Sequence, residues 1–69
     1  MVSVEKLKAT IEAHNLTVQE VADNIGIDRS TFYRKLSRND SSFTVEQAKN
    51  ISTLLRLTAA EFQAIFFAE

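Results

Sequence analysis

From Arg29 to Arg38 the chain carries four cationic side chains, Arg29, Arg34, Lys35 and Arg38, and no acidic one. Such a cluster is suited to anions, because Lys and Arg that neutralise phosphates supply the sequence-independent part of nucleic-acid affinity. The net charge of −1 over the whole chain argues the other way. Distribution outweighs the sum here: beyond Arg56 the only charged residues are Glu61 and Glu69, so charge is polarised along the chain. If the cationic segment is helical, at about 100° per residue, Arg29, Ser30, Tyr33, Arg34 and Ser37 fall within an arc of roughly 140°. No carboxylate interrupts that arc.

The other side chains capable of chemistry do not assemble into a reactive set. His14 is the only histidine and cysteine is absent, so neither a thiolate-held metal nor a His/Cys cluster is available. His14 is better accounted for at the C-terminal end of a helix, where its cation suits the helix dipole. Ser, His and Asp all occur, yet nothing in their spacing implies a base held against a nucleophile within a pocket. Asp28 precedes a helical pattern and reads as an N-cap rather than a catalytic acid. Neither an enzyme nor a cofactor is expected.

These side chains must be held by a small scaffold. The 69 residues fit one domain, 1–69, whose core stabilises it by only roughly 3 to 5 kcal/mol, too little to carry a large enclosed site. No apolar run reaches membrane-spanning length, and the N-terminal MVSVEKLK lacks the basic start and apolar stretch of a signal peptide. A soluble, unprocessed, cytoplasmic chain is the expectation. Proline is missing, Gly26 is the single glycine, and no stretch alternates apolar with polar residues. The fold class is therefore all-α, with five helices.

Capping signals mark where the helices begin. Thr17 with Glu20, Thr44 with Gln47 and Thr58 with Glu61 each have the Thr-x-x-Glu/Gln spacing of a capping box, and they open the second, fourth and fifth helices. Helix one is expected from Val4 to His14 with Leu7 and Ile11 inward. Asn15 takes the left-handed conformation that ends it, and Leu16 folds back. Helix two runs from Val18 to Ile25, burying Val21, Ala22 and Ile25, and Gly26 stops it with a positive φ. Helix three runs from Arg29 to about Leu36 with Phe32 and Leu36 inward. Ser37 to Ser42 form a polar loop, and Phe43 tucks the end of that loop under the core. Helix four, Val45 to Leu55, presents Ala48, Ile51, Leu54 and Leu55; helix five, from Ala59, presents Phe62, Ile65 and Phe66.

Two short helices joined by Gly26-Ile27-Asp28, with the small Ala22 at their crossing and Val21, Ile25, Ile27 and Phe32 filling the wedge, meet the steric needs of a helix-turn-helix over residues 18–36. The run from Leu16 to Leu36, with one helix before it and two after, resembles the lambda-repressor/Cro-like family of helix-turn-helix regulators found in phages and their hosts. That resemblance covers nearly the whole chain and implies the family's five-helix domain. In length the chain looks more like a Cro-type regulator, or an excised repressor DNA-binding domain, than a two-domain repressor.

The resemblance implies a double-stranded DNA operator, with the second helix of the motif in the major groove. Base-reading positions then fall on Arg29, Ser30 and Arg34, with Tyr33 beside them. Each arginine fork matches the O6 and N7 acceptors of guanine. Gln19, Lys35, Arg38 and Asn39 are candidate phosphate contacts, helped by backbone N–H groups at the start of helix two. Many relatives place a phosphate-clamping glutamine at the first position of that helix, where this chain has Val18, with Gln19 next. A homodimer, at least on DNA, would meet a pseudo-palindrome. In the last helix, Phe62, Phe66 and Phe67 cannot all enter one core, so they form a candidate dimer or partner surface. The alternative reading is an antirepressor or modulator on the same fold that grips another regulator through this helix.

Overall fold

A computed structural model of the chain describes residues 2–37 and 43–68. It contains α1 (Val4–Ala13), α2 (Val18–Ile25), α3 (Arg29–Ser37), α4 (Val45–Leu55) and α5 (Ala59–Phe66), and no strand among the described residues. The all-α expectation holds, with helix ends one residue from those expected in two places. His14 lies just past α1, and Ser37 closes α3 rather than opening a loop. The rest of that loop lies outside the described residues.

All three capping boxes form. The Thr17, Thr44 and Thr58 hydroxyls accept from the N–H of Glu20, Gln47 and Glu61 at 3.1, 3.0 and 3.1 Å, and the three threonines' own N–H groups donate back to those side chains at 2.9, 3.0 and 2.8 Å. Each reciprocal pair satisfies two donors that a helix start leaves without partners.

Three of the connections are the same device. Asn15-Leu16-Thr17, Gly26-Ile27-Asp28 and Arg56-Leu57-Thr58 each place a left-handed residue first, with φ of 57°, 73° and 53°. An apolar residue comes next, and then the residue that caps the succeeding helix. The N–H groups of Leu16, Ile27 and Leu57 reach back to the carbonyls of Ile11, Ala22 and Ser52 at 3.2, 3.0 and 3.0 Å. Those of Asn15, Gly26 and Arg56 bond Glu12, Asp23 and Thr53, which completes a Schellman closure at every one of the three helix ends. Arg56 in this role departs from sequence expectation, since arginine has no intrinsic liking for positive φ.

The core takes one stripe from each helix: Leu7 and Ile11, then Val21, Ala22 and Ile25, then Phe32 and Leu36, then Ala48, Ile51 and Leu55, then Ile65 and Phe66, with Ile27 from the turn. Helix α2 is central, packing on α1, α3 and α4, and α5 closes the bundle against α1. Ser3 N–H donates to the Ile65 carbonyl, tying the start of the chain to the last helix. The radius of gyration of 10.7 Å sits close to the value of about 11 Å for a packed domain of this length, so α5 is docked rather than extended.

The aromatic residues divide differently from expectation. Phe43 is half-buried and meets Phe32 and Phe66 edge-on at 6.0 and 6.1 Å, as a residue tucked under the core should. Phe66 is only 7% exposed and is withdrawn from the candidate surface, because α5 turns it inward beside Ile65. Phe67, 67% exposed and just past the helix end, and half-buried Phe62 remain.

Candidate nucleic-acid interface

The helix-turn-helix forms from its parts in the order the sequence dictates. Ala22 is fully buried beneath the turn, where α2 and α3 need a small side chain to approach. Gly26 adopts φ 73° and ψ 29°, and Ile27 is buried behind it. The Asp28 carboxylate then accepts the Ser30 N–H at 3.0 Å, which caps α3. Phe32, fully buried, and Leu36 hold α3 in place from below.

The opposite side of α3 is solvent-facing. Arg29, Ser30, Tyr33, Arg34 and Ser37 are all exposed, while Thr31 and Lys35 are half-buried. The arc drawn from helical periodicity is thus the exposed arc of the helix, and it holds two guanidinium groups and no carboxylate. Arg29 lies over the Tyr33 ring, 5.4 Å from its centroid. Arg34 donates to the Thr31 hydroxyl at 3.5 Å, the outer limit of a hydrogen bond.

Among the phosphate candidates, Gln19 is exposed in the first turn of α2. Lys35 is half-buried beside the exposed arc, its ammonium 5.3 Å from the centroid of the Phe43 ring. Arg38 and Asn39 lie outside the described residues. Tyr33, Thr17 and Val18 share a concavity of about 420 Å³ with Lys8, Ile11, Glu12 and Leu16, so the start of α2 and the exposed face of α3 border one surface. Lys8 is a cation beside this surface that sequence reasoning missed. Its only signal was its place on α1 one turn before Ile11, on the flank of the buried stripe.

The His14 Nδ1–H donates to the Thr10 carbonyl at 2.8 Å, one turn back along the chain. No group of three or more potential metal ligands occurs among the described residues. No described helix is long and apolar enough to cross a membrane.

No curated protein and no solved structure matches the chain. A family model described as bacterial regulatory protein, Fis family, matches residues 2–38 of the 69, just over half of the chain. The matched segment contains α1 and both helices of the motif and stops one residue beyond α3. It shares the helix-turn-helix with the lambda-repressor/Cro-like resemblance without reproducing that subtype. With an all-helical fold, a built turn at Gly26 and an exposed, acid-free α3, the chain belongs to the Fis family of bacterial regulatory proteins and is a helix-turn-helix DNA-binding domain.

Proposed function

We propose that the domain is a sequence-specific transcriptional regulator of the Cro/repressor type, of phage or prophage origin, that acts in the bacterial cytoplasm by occupying an operator. Helix α3 enters the major groove. The observation that carries this reading is the exposed face of α3, where Arg29 and Arg34 stand with Ser30 and Tyr33 and without a carboxylate. Arg29 and Arg34 read guanine edges as bidentate donors, and Ser30 donates or accepts at a neighbouring base. Gln19 and the backbone N–H groups that open α2 hold a phosphate, and Lys35, Arg38 and Asn39 add register contacts. Two copies related by two-fold symmetry meet half-sites about 34 Å apart on a pseudo-palindrome.

Selection of bound duplexes from a random pool tests this directly. A palindrome with one or two guanines per half-site is expected, and Arg34→Ala should relax one position at a cost of about 1 to 3 kcal/mol. Lys35→Ala should weaken all sequences alike and flatten the salt slope. If neither substitution changes binding to the selected site, the groove assignment is wrong.

The exposure of Phe67, at 67%, favours a second reading in which the same fold grips another regulator or a second copy through Phe62 and Phe67. The two readings part on salt. A phosphate-neutralising binder loses affinity steeply between about 50 and 200 mM salt, whereas a protein-binding module shows no duplex binding even at the lower concentration.

A further inference from the structure

Tyr33 lies within the exposed arc of α3, where position alone would make it another base contact. Its surroundings give it different work. Arg29 is the first residue of α3, and a cation there meets the positive end of the helix dipole. The neighbouring Asp28 carboxylate caps α3 through the Ser30 N–H. The Tyr33 ring, one turn on, lies 5.4 Å from the guanidinium carbon, within cation–π range.

The ring is in turn seated. Only 46% exposed, Tyr33 lines the concavity where the second half of α1 meets the start of α2, with Ile11, Leu16, Thr17 and Val18. It therefore spans from the α1–α2 corner to the arginine. A ring contact restrains a long side chain without consuming its N–H donors, whereas a salt bridge to Asp28 would occupy them. A restrained fork also loses less rotamer freedom when it pairs with a base.

We infer that Tyr33 is a positioning residue for Arg29, holding its guanidinium ready over the face of α3 with its donors available for a base edge, rather than a base reader itself. The inference rests on the reading of Arg29 as a base contact, and its test separates the two. The full chain and the variants Arg29→Ala, Tyr33→Phe, Tyr33→Leu and Arg29→Ala/Tyr33→Leu are compared on the selected duplex and on duplexes altered at each position, with thermal unfolding alongside.

Tyr33→Phe keeps the ring and should bind within about twofold of the parent, with the same base preferences. Tyr33→Leu should lose about two- to fivefold, the worth of an exposed cation–π contact, and lose preference at the same base pair that Arg29→Ala relaxes. The double variant should be no weaker than Arg29→Ala alone. Loss of preference in Tyr33→Phe would overturn the inference, because the hydroxyl would then touch DNA. Additive losses in the double variant, or a uniform loss in Tyr33→Leu that tracks a lower Tm, would overturn it as well. An Arg29→Ala variant with unchanged preferences would overturn the reading of Arg29, and the positioning role with it.

Discussion

Gly26→Ala offers a test of the turn on which the motif depends. Gly26 sits at φ 73°, and a Cβ added there would meet no heavy atom within 4 Å. The cost is therefore backbone strain alone, roughly 1 to 2 kcal/mol for a residue with a side chain in the left-handed region. Alanine also reduces the freedom of the unfolded chain, which offsets about 0.4 to 1 kcal/mol. The net loss is about 1 kcal/mol, or a fall in Tm of about 4 to 8 °C for a domain of this size. Gly26→Asn should fall less, since asparagine tolerates positive φ. Thermal and urea unfolding monitored by circular dichroism would measure both, and DNA affinity at a temperature where the variants stay folded should match the parent. A loss beyond about 3 kcal/mol would mean that the side chain clashes. A gain in stability would mean that the turn does not need the left-handed conformation.

Three other perturbations have defined outcomes. Arg56→Gly should raise Tm, because it relieves a φ of 53° at an exposed helix end; the same change at Asn15 should gain less, and a lower Tm for Arg56→Gly would contradict the strain assigned there. Phe32→Ala removes a fully buried ring at a cost of about 3 to 5 kcal/mol, comparable with the whole stability of so small a domain, so the variant should be largely unfolded by circular dichroism at 25 °C. The Glu61 carboxyl is held below its ordinary pKa, first by the hydrogen bond it accepts from the Thr58 backbone, next by the Thr58 side chain and more weakly by His14. A depressed carboxylate pKa contributes stability that is present above the unfolded value and lost as pH falls through the folded one. Urea midpoints should therefore drop on acidification through and below the carboxylate range. Glu61→Gln should drop less over the same interval, and an equal drop would remove the capping box from the account.

The helix starts were legible in the sequence because Thr-x-x-Glu/Gln is a local chemical device whose donors and acceptors all lie within one turn. The end of α2 was legible because a lone glycine after an apolar stripe has few other uses. Arg56 was not, since its positive φ is imposed by the closure through Leu57 and Ser52 and by the docking of α5 beyond it, rather than by its own preference. Periodicity put Phe66 and Phe67 at different angles, yet only packing decides which ring is covered, and the bundle buries Phe66 while Phe67 stays exposed. At the candidate interface, periodicity gave the exposed arc of α3 in full. It did not reveal that Lys35 leans onto Phe43, or that Tyr33 bridges Arg29 to the α1–α2 corner, because both depend on elements distant in sequence or on the direction a side chain leaves its helix.

The three matching connectors also bear on time. Each fixes the angle between consecutive helices through hydrogen bonds spanning no more than six residues, so most of the topology is assembled without closing long loops. Helical domains built on such local contacts fold in microseconds to milliseconds. The widest closure is the tie between Ser3 and the Ile65 carbonyl, which joins opposite ends of the chain. That closure carries the largest loop entropy. It should come last in folding and break first in unfolding, so the amides of α5 should exchange with solvent ahead of those in α2, the helix that the rest of the bundle encloses.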